Sequence, residues 1–353
     1  MAIFDIKKLL QSVVAHKASD LHLVSRSEPQ IRLDGVLKPV NLPKLTGEDI
    51  EEMCYSLITE KQKQHFEEDG ELDFALELPG IGRFRANYYR TLGHIAAAFR
   101  VIPIDIPSLD DLGSPQVYKQ LVKREKGLIL VTGPTGSGKS TTFAAMLNEI
   151  NITEQKHIVT VEDPVEFIHQ NKKCVFSHRG VGEDTKSFAT ALKYAMRQDP
   201  DIILIGEMRD KETIAAALTA AETGHLVFGT LHTSSAPSTI NRIIDVFNGD
   251  EQPQIRAMLS SSLVAVIAQA LLPKLGGGRV AASEILVTNH AINNLIREDK
   301  VHQIYSQMQL GQGDTGMQTQ TQALVKFIRD GKVSKDIAMQ FANKPEELAK
   351  AII

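Results

Sequence analysis

The chain has no tryptophan, only two cysteines in 353 residues, and aromatic side chains at 5%. A track for single-stranded nucleic acid needs stacking aromatics along a basic groove. A formal net charge of −4 adds nothing toward the basic part, so no nucleic-acid partner is expected. Cys54 and Cys174 lie far apart without metal-type spacing. They are expected as free thiols in a reducing compartment, which excludes a disulfide framework. Long apolar runs are also missing. Residues 263–272 form the most apolar later stretch and fall well short of the ~20 residues a membrane span needs. The amino-terminal stretch is broken by Asp5, Lys7 and Lys8 and lacks the apolar core of a signal peptide. A cytoplasmic location is expected, with any membrane role exercised through a partner.

What is present is ordinary globular composition, with 42% hydrophobic and 23% charged residues, and enough length for two domains. Within it stands one dense motif. Residues 128–131 (LILV) form a short apolar run that suits a buried parallel strand. Gly133-Pro134-Thr135-Gly136-Ser137-Gly138-Lys139-Ser140 follows, a full match to the phosphate-loop pattern, and Thr141 continues into a breaker-free helix. The glycines let the backbone wrap an anion with its N–H groups inward, and the helix adds its positive end. In this context Lys139 reaches the β- and γ-phosphates of a nucleotide such as ATP, and Ser140 completes the shell of Mg²⁺.

Around this motif the chain changes style once. Residues 3–17 carry apolar side chains at helical spacing, and 46–56 and 60–69 also read as helices. Strands are expected at 19–23, at 31–36 with Asp34-Gly35 as a turn, and at 72–78, 83–89 and 95–101. Residues 1–102 thus make a small α+β domain with a largely antiparallel sheet. Pro103, Pro107, Gly113 and Pro115 mark a stiff connection over 103–115. Residues 116–288 alternate short apolar strands (157–161, 202–205, 226–231, 280–287) with helices (185–196, 211–223), as a parallel α/β domain does. A long buried helix is predicted over 254–272, because no charge follows Arg256. Short helices at 291–298, 319–330, 334–342 and 345–352 make a helical tail within 289–353.

A nucleotide loop needs a carboxylate for the metal, one for water, and cations for transition-state charge. Glu207 follows the apolar run 202–205, the position of a Walker B acid. Glu162, Asp163 and Glu166 crowd the turn after another strand and read either as a solvated acidic loop or as a source of a water-activating base. His225 and His232 bracket one strand of the core and are candidates for sensing a γ-phosphate. Arg83, Arg85, Arg90 and Arg100 stud the last strands of the first domain. They read as a solvated face, a basic strip, or arginine fingers.

Residues 196–210 (MRQDPDIILIGEMRD) closely resemble the signature of the type II secretion and type IV pilus ATPases. The phosphate loop, the acidic box VEDPVEF (161–167), this Walker B box and the His box GHLVFGTLHT (224–233) stand in that family's order and spacing. SDLHL (19–23), GRFRAN (82–87), LLPKLGGGRVAASEIL (271–286) and GMQT (316–319) extend the match to both ends. The resemblance implies a PAS-like first domain, a RecA-like second domain, and a homohexamer that turns over ATP. By position it assigns Lys139 and Ser140 to Walker A, Glu207 to Walker B, Glu166 to the general base, and His225 and His232 to the His box. Arg85 and Arg100 resemble the first-domain arginines that reach a nucleotide. In the family the ring acts on an inner-membrane pilus platform protein. A start close to the PAS-like domain and the lack of a four-cysteine zinc site favour the retraction branch, expected at the cytoplasmic pilus base. Residues 291–298 match that branch's AIRNLIRE motif except that Asn293 replaces an arginine. An accessory retraction ATPase working beside a second motor, a RecA-like nucleic-acid translocase, and a scaffold that binds ATP without hydrolysis are the competing readings.

Overall fold

The computed structural model describes residues 5–33, 35–103, 105–311 and 315–352. The chain divides into two compact units. One runs from the amino terminus to Asp105 and also takes in Pro164–Ile168, and the other holds Ile106–Asp163 and everything from His169.

The first unit contains α1 (Ile6–Ala15), β1 (Asp20–Leu23), β2 (Gln30–Leu33), β3 (Val36–Pro39), α2 (Gly47–Tyr55), α3 (Glu60–Asp69), β4 (Glu71–Leu78), β5 (Gly82–Thr91) and β6 (His94–Ile102). Its six strands form one antiparallel sheet in the order β3-β2-β1-β6-β5-β4. This is the expected PAS-like α+β domain. The hairpin closes where Leu33 pairs with Val36; Asp34 lies outside the described residues. Thr46 and Asp49 form a reciprocal capping box, so a carboxylate serves where Glu or Gln is usual. The alternation of β5 turns Phe84, Ala86 and Tyr88 into the core and Arg83, Arg85 and Asn87 away from it. Phe66, Phe74 and Phe99 meet the buried Tyr88 ring edge-on, and its hydroxyl donates to Cys54 O. Burial pushes the Cys54 thiol up to about 12, so it is inert packing material.

The second unit contains α4 (Val117–Leu121), β7 (Gly127–Thr132), α5 (Lys139–Thr153), β8 (His157–Glu162), β9 (Val175–Gly180), α6 (Phe188–Ala195), β10 (Ile202–Ile205), α7 (Lys211–Glu222), β11 (Leu226–Leu231), α8 (Ala236–Asp245), α9 (Gln252–Ser262), β12 (Leu263–Pro273) and β13 (Arg279–Val287). Then come α10 (His290–Arg297), α11 (Ile304–Leu310), α12 (Gln320–Arg329), α13 (Lys335–Phe341) and α14 (Pro345–Ala351). Seven strands form a sheet in the order β13-β12-β7-β11-β10-β8-β9, parallel except for β13. β7, β10 and β11 are buried at every residue. Each fully buried Leu, Ile or Val contributes about 1.5–3 kcal/mol, which makes this the rigid base of the site. Leu272 and Ala282 of the sheet pack with Leu324, Val333 and Leu348, so the carboxyl-terminal helices belong to this unit.

One element differs in kind. The long helix expected over 254–272 ends at Ser262, and β12 takes its place between β7 and β13. Absence of charge marks a strand buried on both faces as well as a buried helix, and Val264, Val266 and Ile267 favour the strand. β9, α8 and α11 were not anticipated from the sequence.

Candidate nucleotide site

The phosphate loop begins where β7 ends. Gly133, Gly136 and Gly138 all have positive φ, at 141°, 78° and 89°. A Cβ on Gly133 would stand 2.3 Å from the Gln269 carbonyl oxygen, so only glycine fits there. Gly138 is the N-cap of α5 and makes no side-chain capping hydrogen bond. A helix that starts at the end of a glycine loop turns its positive end toward an anion. Pro134, Thr135 and Gly136 are exposed, whereas Ser137 is buried and Ser140 and Thr141 are half-buried. Lys139 Nζ folds back to donate to the carbonyls of Gly133 and Pro134, 3.0 Å each.

Gln269 is the residue the sequence did not single out. It is 3% exposed on β12. Its Nε2 donates to Ser137 O at 2.6 Å, and its Oε1 accepts from Thr142 Oγ1 at 3.0 Å. The neighbouring strand thus pins the loop to the first turn of α5. Gln269→Ala leaves both groups without this partner, at a cost of about 1–3 kcal/mol. We expect the ATP KM to rise about tenfold, read from initial rates; an unchanged KM would show that the glycines alone hold the loop.

The carboxyl ends of β7, β8, β10 and β11 face one way because the strands are parallel. Glu207 lies just past β10 and His232 just past β11, and His232 Nε2 stands 2.8 Å from Glu207 Oε1. The same oxygen accepts from Arg209 Nε, which raises the Arg209 pKa. Met208 N donates to Thr230 O at 3.0 Å, holding this loop to β11. Thr239 Oγ1 is 2.7 Å from Thr233 Oγ1 and 3.5 Å from Thr132 Oγ1, which ties the His232 turn to the root of the phosphate loop. His225 is elsewhere. Its carbonyl accepts from Gly127 N at the start of β7, and its Nδ1 lies 3.0 Å from Ala220 O. With the length of β11 between them at ~3.3 Å per residue, the two histidines are roughly 20 Å apart. The structure brings together the loop, Glu207 and His232, and leaves His225 at the other end of the sheet.

In the first unit, Arg85 and Arg100 stand directly opposite each other on β5 and β6. Paired like charges are unfavourable on a sheet face, and here each guanidinium has an acid. Arg85 is bidentate to Asp73, and Arg100 Nε donates to Asp20 at 2.8 Å. Burial pushes the Asp20 carboxyl up, but hydrogen bonds from Ser19 and Arg100 outweigh it and hold the pKa below the ordinary value. Arg83 does something different. Its Nη1 and Nη2 donate to the carbonyls of Glu166 and Val165 at 3.3 and 3.2 Å. The acidic-box segment carrying Glu166 is therefore held within the first unit by Arg83, a role nothing in the sequence distinguished from its neighbours.

Among the described residues no group of three or more His, Cys, Asp or Glu forms a metal cluster. The oxygen donors expected for a metal are the Ser140 hydroxyl and the Glu207 carboxylate. An oxygen-only pair of this kind fits a hard cation that takes its other ligands from water and phosphate. No helix among the described residues is long and apolar enough to cross a membrane.

Comparison with known proteins shows the family. The family described as "Type II/IV secretion system protein" matches residues 2–277. The chain belongs to that family. It is 51% identical to the "Type IV pilus retractation ATPase PilT" of Pseudomonas aeruginosa, over 97% of this chain and 99% of that one. It is 46% identical to a "Twitching motility protein" of Neisseria gonorrhoeae, over 98% and 92% of the two chains. Among solved structures, "Crystal Structure of the Pilus Retraction Motor PilT and Bound ADP" superposes with a TM-score of 0.91 at 48% identity, covering 98% and 99%.

Proposed function

We propose that this protein is an ATP-hydrolysing motor of type IV pilus retraction, working as a homohexamer at the cytoplasmic face of the pilus base. The observation that carries the chemistry is the Glu207–His232 pair at the same sheet edge as the glycine loop. Identity at the half level over nearly the whole of both chains supports the client. In this reading the loop amides and Lys139 hold the β- and γ-phosphates, with Gly133 to Thr141 forming the cradle. Ser140 and Glu207 would hold Mg²⁺, which would neutralise charge on the phosphates. Glu166 takes a proton from water, the water oxygen bonds to the γ-phosphorus, and the bond to the bridging oxygen breaks to release ADP and phosphate. His232 reports the γ-phosphate to the Glu207 loop. Arg85 and Arg100 supply positive charge to a nucleotide, exchanging their acids for phosphate oxygens. Partners in this reading are an inner-membrane platform protein and an accessory retraction ATPase.

ATPase activity across a size-fractionated preparation tests the ring, with Lys139→Ala as control. We expect turnover confined to a hexamer-sized peak and absent from the variant. Turnover by a monomer would remove the ring mechanism. DNA stimulation of turnover would instead favour a translocase.

A further inference from the structure

Glu284 on β13 is 2% exposed, and the mechanism above gives it no role. Its Oε1 accepts from Ala236 N at 2.8 Å, and the main-chain N–H of Gln320 is a second partner. Ala236 is the first residue of α8, and Gln320 the first of α12. One carboxylate thus joins the positive ends of two helices that are far apart in sequence. Gln320 Oε1 accepts from Asn343 N at 2.7 Å, and Asn343 Nδ2 donates to Ser234 O, also at 2.7 Å. The turn leaving His232 is consequently gripped twice, at Ser234 and at Ala236.

That turn exposes His232 and Ser234, with Ala236 buried behind them. It borders a cavity of about 370 Å³ lined by Ser234, Ser235, Glu284, Tyr305, Gln320 and Asn343. Its remaining ties, Thr233 to Thr239 and the Ser235 cap on α8, are polar as well. Burial raises the Glu284 pKa, and the two amides and Lys344 oppose that rise.

We infer that Glu284, with Gln320 and Asn343, is a positioning latch that sets the placement of His232 for hydrolysis and joins it to the carboxyl-terminal helices. The latch rests on the reading of His232 given above. It makes no contact with substrate. Its loss is felt in kcat, because the phosphate loop that binds ATP is pinned independently by Gln269.

The test measures kcat and ATP KM for Asn343→Ala, Glu284→Ala and Glu284→Gln, alone and with His232→Ala, alongside thermal midpoint and elution volume. Glu284→Ala is expected to lower kcat about tenfold and Asn343→Ala about threefold, with KM changed less than twofold. Glu284→Gln keeps one acceptor for Ala236 N and should recover part of the loss. In the His232→Ala background, Asn343→Ala should add nothing, since both act through one residue. Additive losses, or a lowered thermal midpoint with unchanged kcat, would overturn the latch. If Glu284→Ala fails to fold, Asn343→Ala decides, because its bond to Ser234 lies at the surface. An unchanged kcat in His232→Ala alone would instead overturn the reading of His232.

Discussion

Glu166→Gln is expected to lower kcat by about 10²–10⁴-fold, the range general-base catalysis supplies, while ATP KM stays within about threefold. The amide keeps the size of the side chain but cannot accept the water proton. The backbone grip on this residue survives, because Arg83 bonds to the carbonyls of Val165 and Glu166 and not to the carboxylate. In the proposed reading nucleotide binding rests on the loop amides and Lys139, which the substitution does not touch. Single-turnover rates with ATP, read beside equilibrium binding of a non-hydrolysable analogue, separate the two. A kcat within tenfold of wild type would move the base to Glu162 or Asp163.

Removing the Glu207 charge is expected to cost at least about a hundredfold in turnover and little in binding. Glu207→Gln retains a carbonyl oxygen at the position that accepts from His232 Nε2 and Arg209 Nε, so the turn keeps its shape. What disappears is the negative charge that would face the metal and the ion pair with Arg209. Titration of Mg²⁺ against turnover makes this specific, since a weakened metal site shifts the midpoint upward. Turnover equal to wild type, with the same metal dependence, would sink the assignment of Glu207 to the metal.

Local chemistry made much of this molecule legible. The phosphate loop is contiguous, and its glycines, lysine and serine have meaning at fixed spacing, so residues 133–141 could be read without any tertiary knowledge. The hairpins of the first unit follow from period-two alternation, and the capping boxes at Thr46 and Thr59 mark where helices start. Periodicity failed where burial is complete on all sides. Residues 263–272 contain no polar face from which to read a period, and the helix expected there is the strand β12. That error hid Gln269, since a glutamine in a buried helix gives no reason to look toward a loop more than a hundred residues earlier.

Spacing in sequence also says nothing about which end of an element a residue occupies in space. His225 and His232 read as an equivalent pair flanking one strand, yet parallel pairing of β7 and β11 places only His232 at the end where the phosphate loop emerges. Arg83 and Arg85 read as members of one basic strip, yet Arg83 bonds to the acidic-box backbone and Arg85 to Asp73. Fold class and the nucleotide loop were decided by sequence alone, because each depends on neighbours along the chain, and the family resemblance named the acidic and histidine boxes. Which strand pins the loop, which histidine meets Glu207, and that Glu284 bonds to the starts of α8 and α12 were decided only by the tertiary structure. Those contacts join segments from 25 to 132 residues apart, and strand order and register, not spacing, select them.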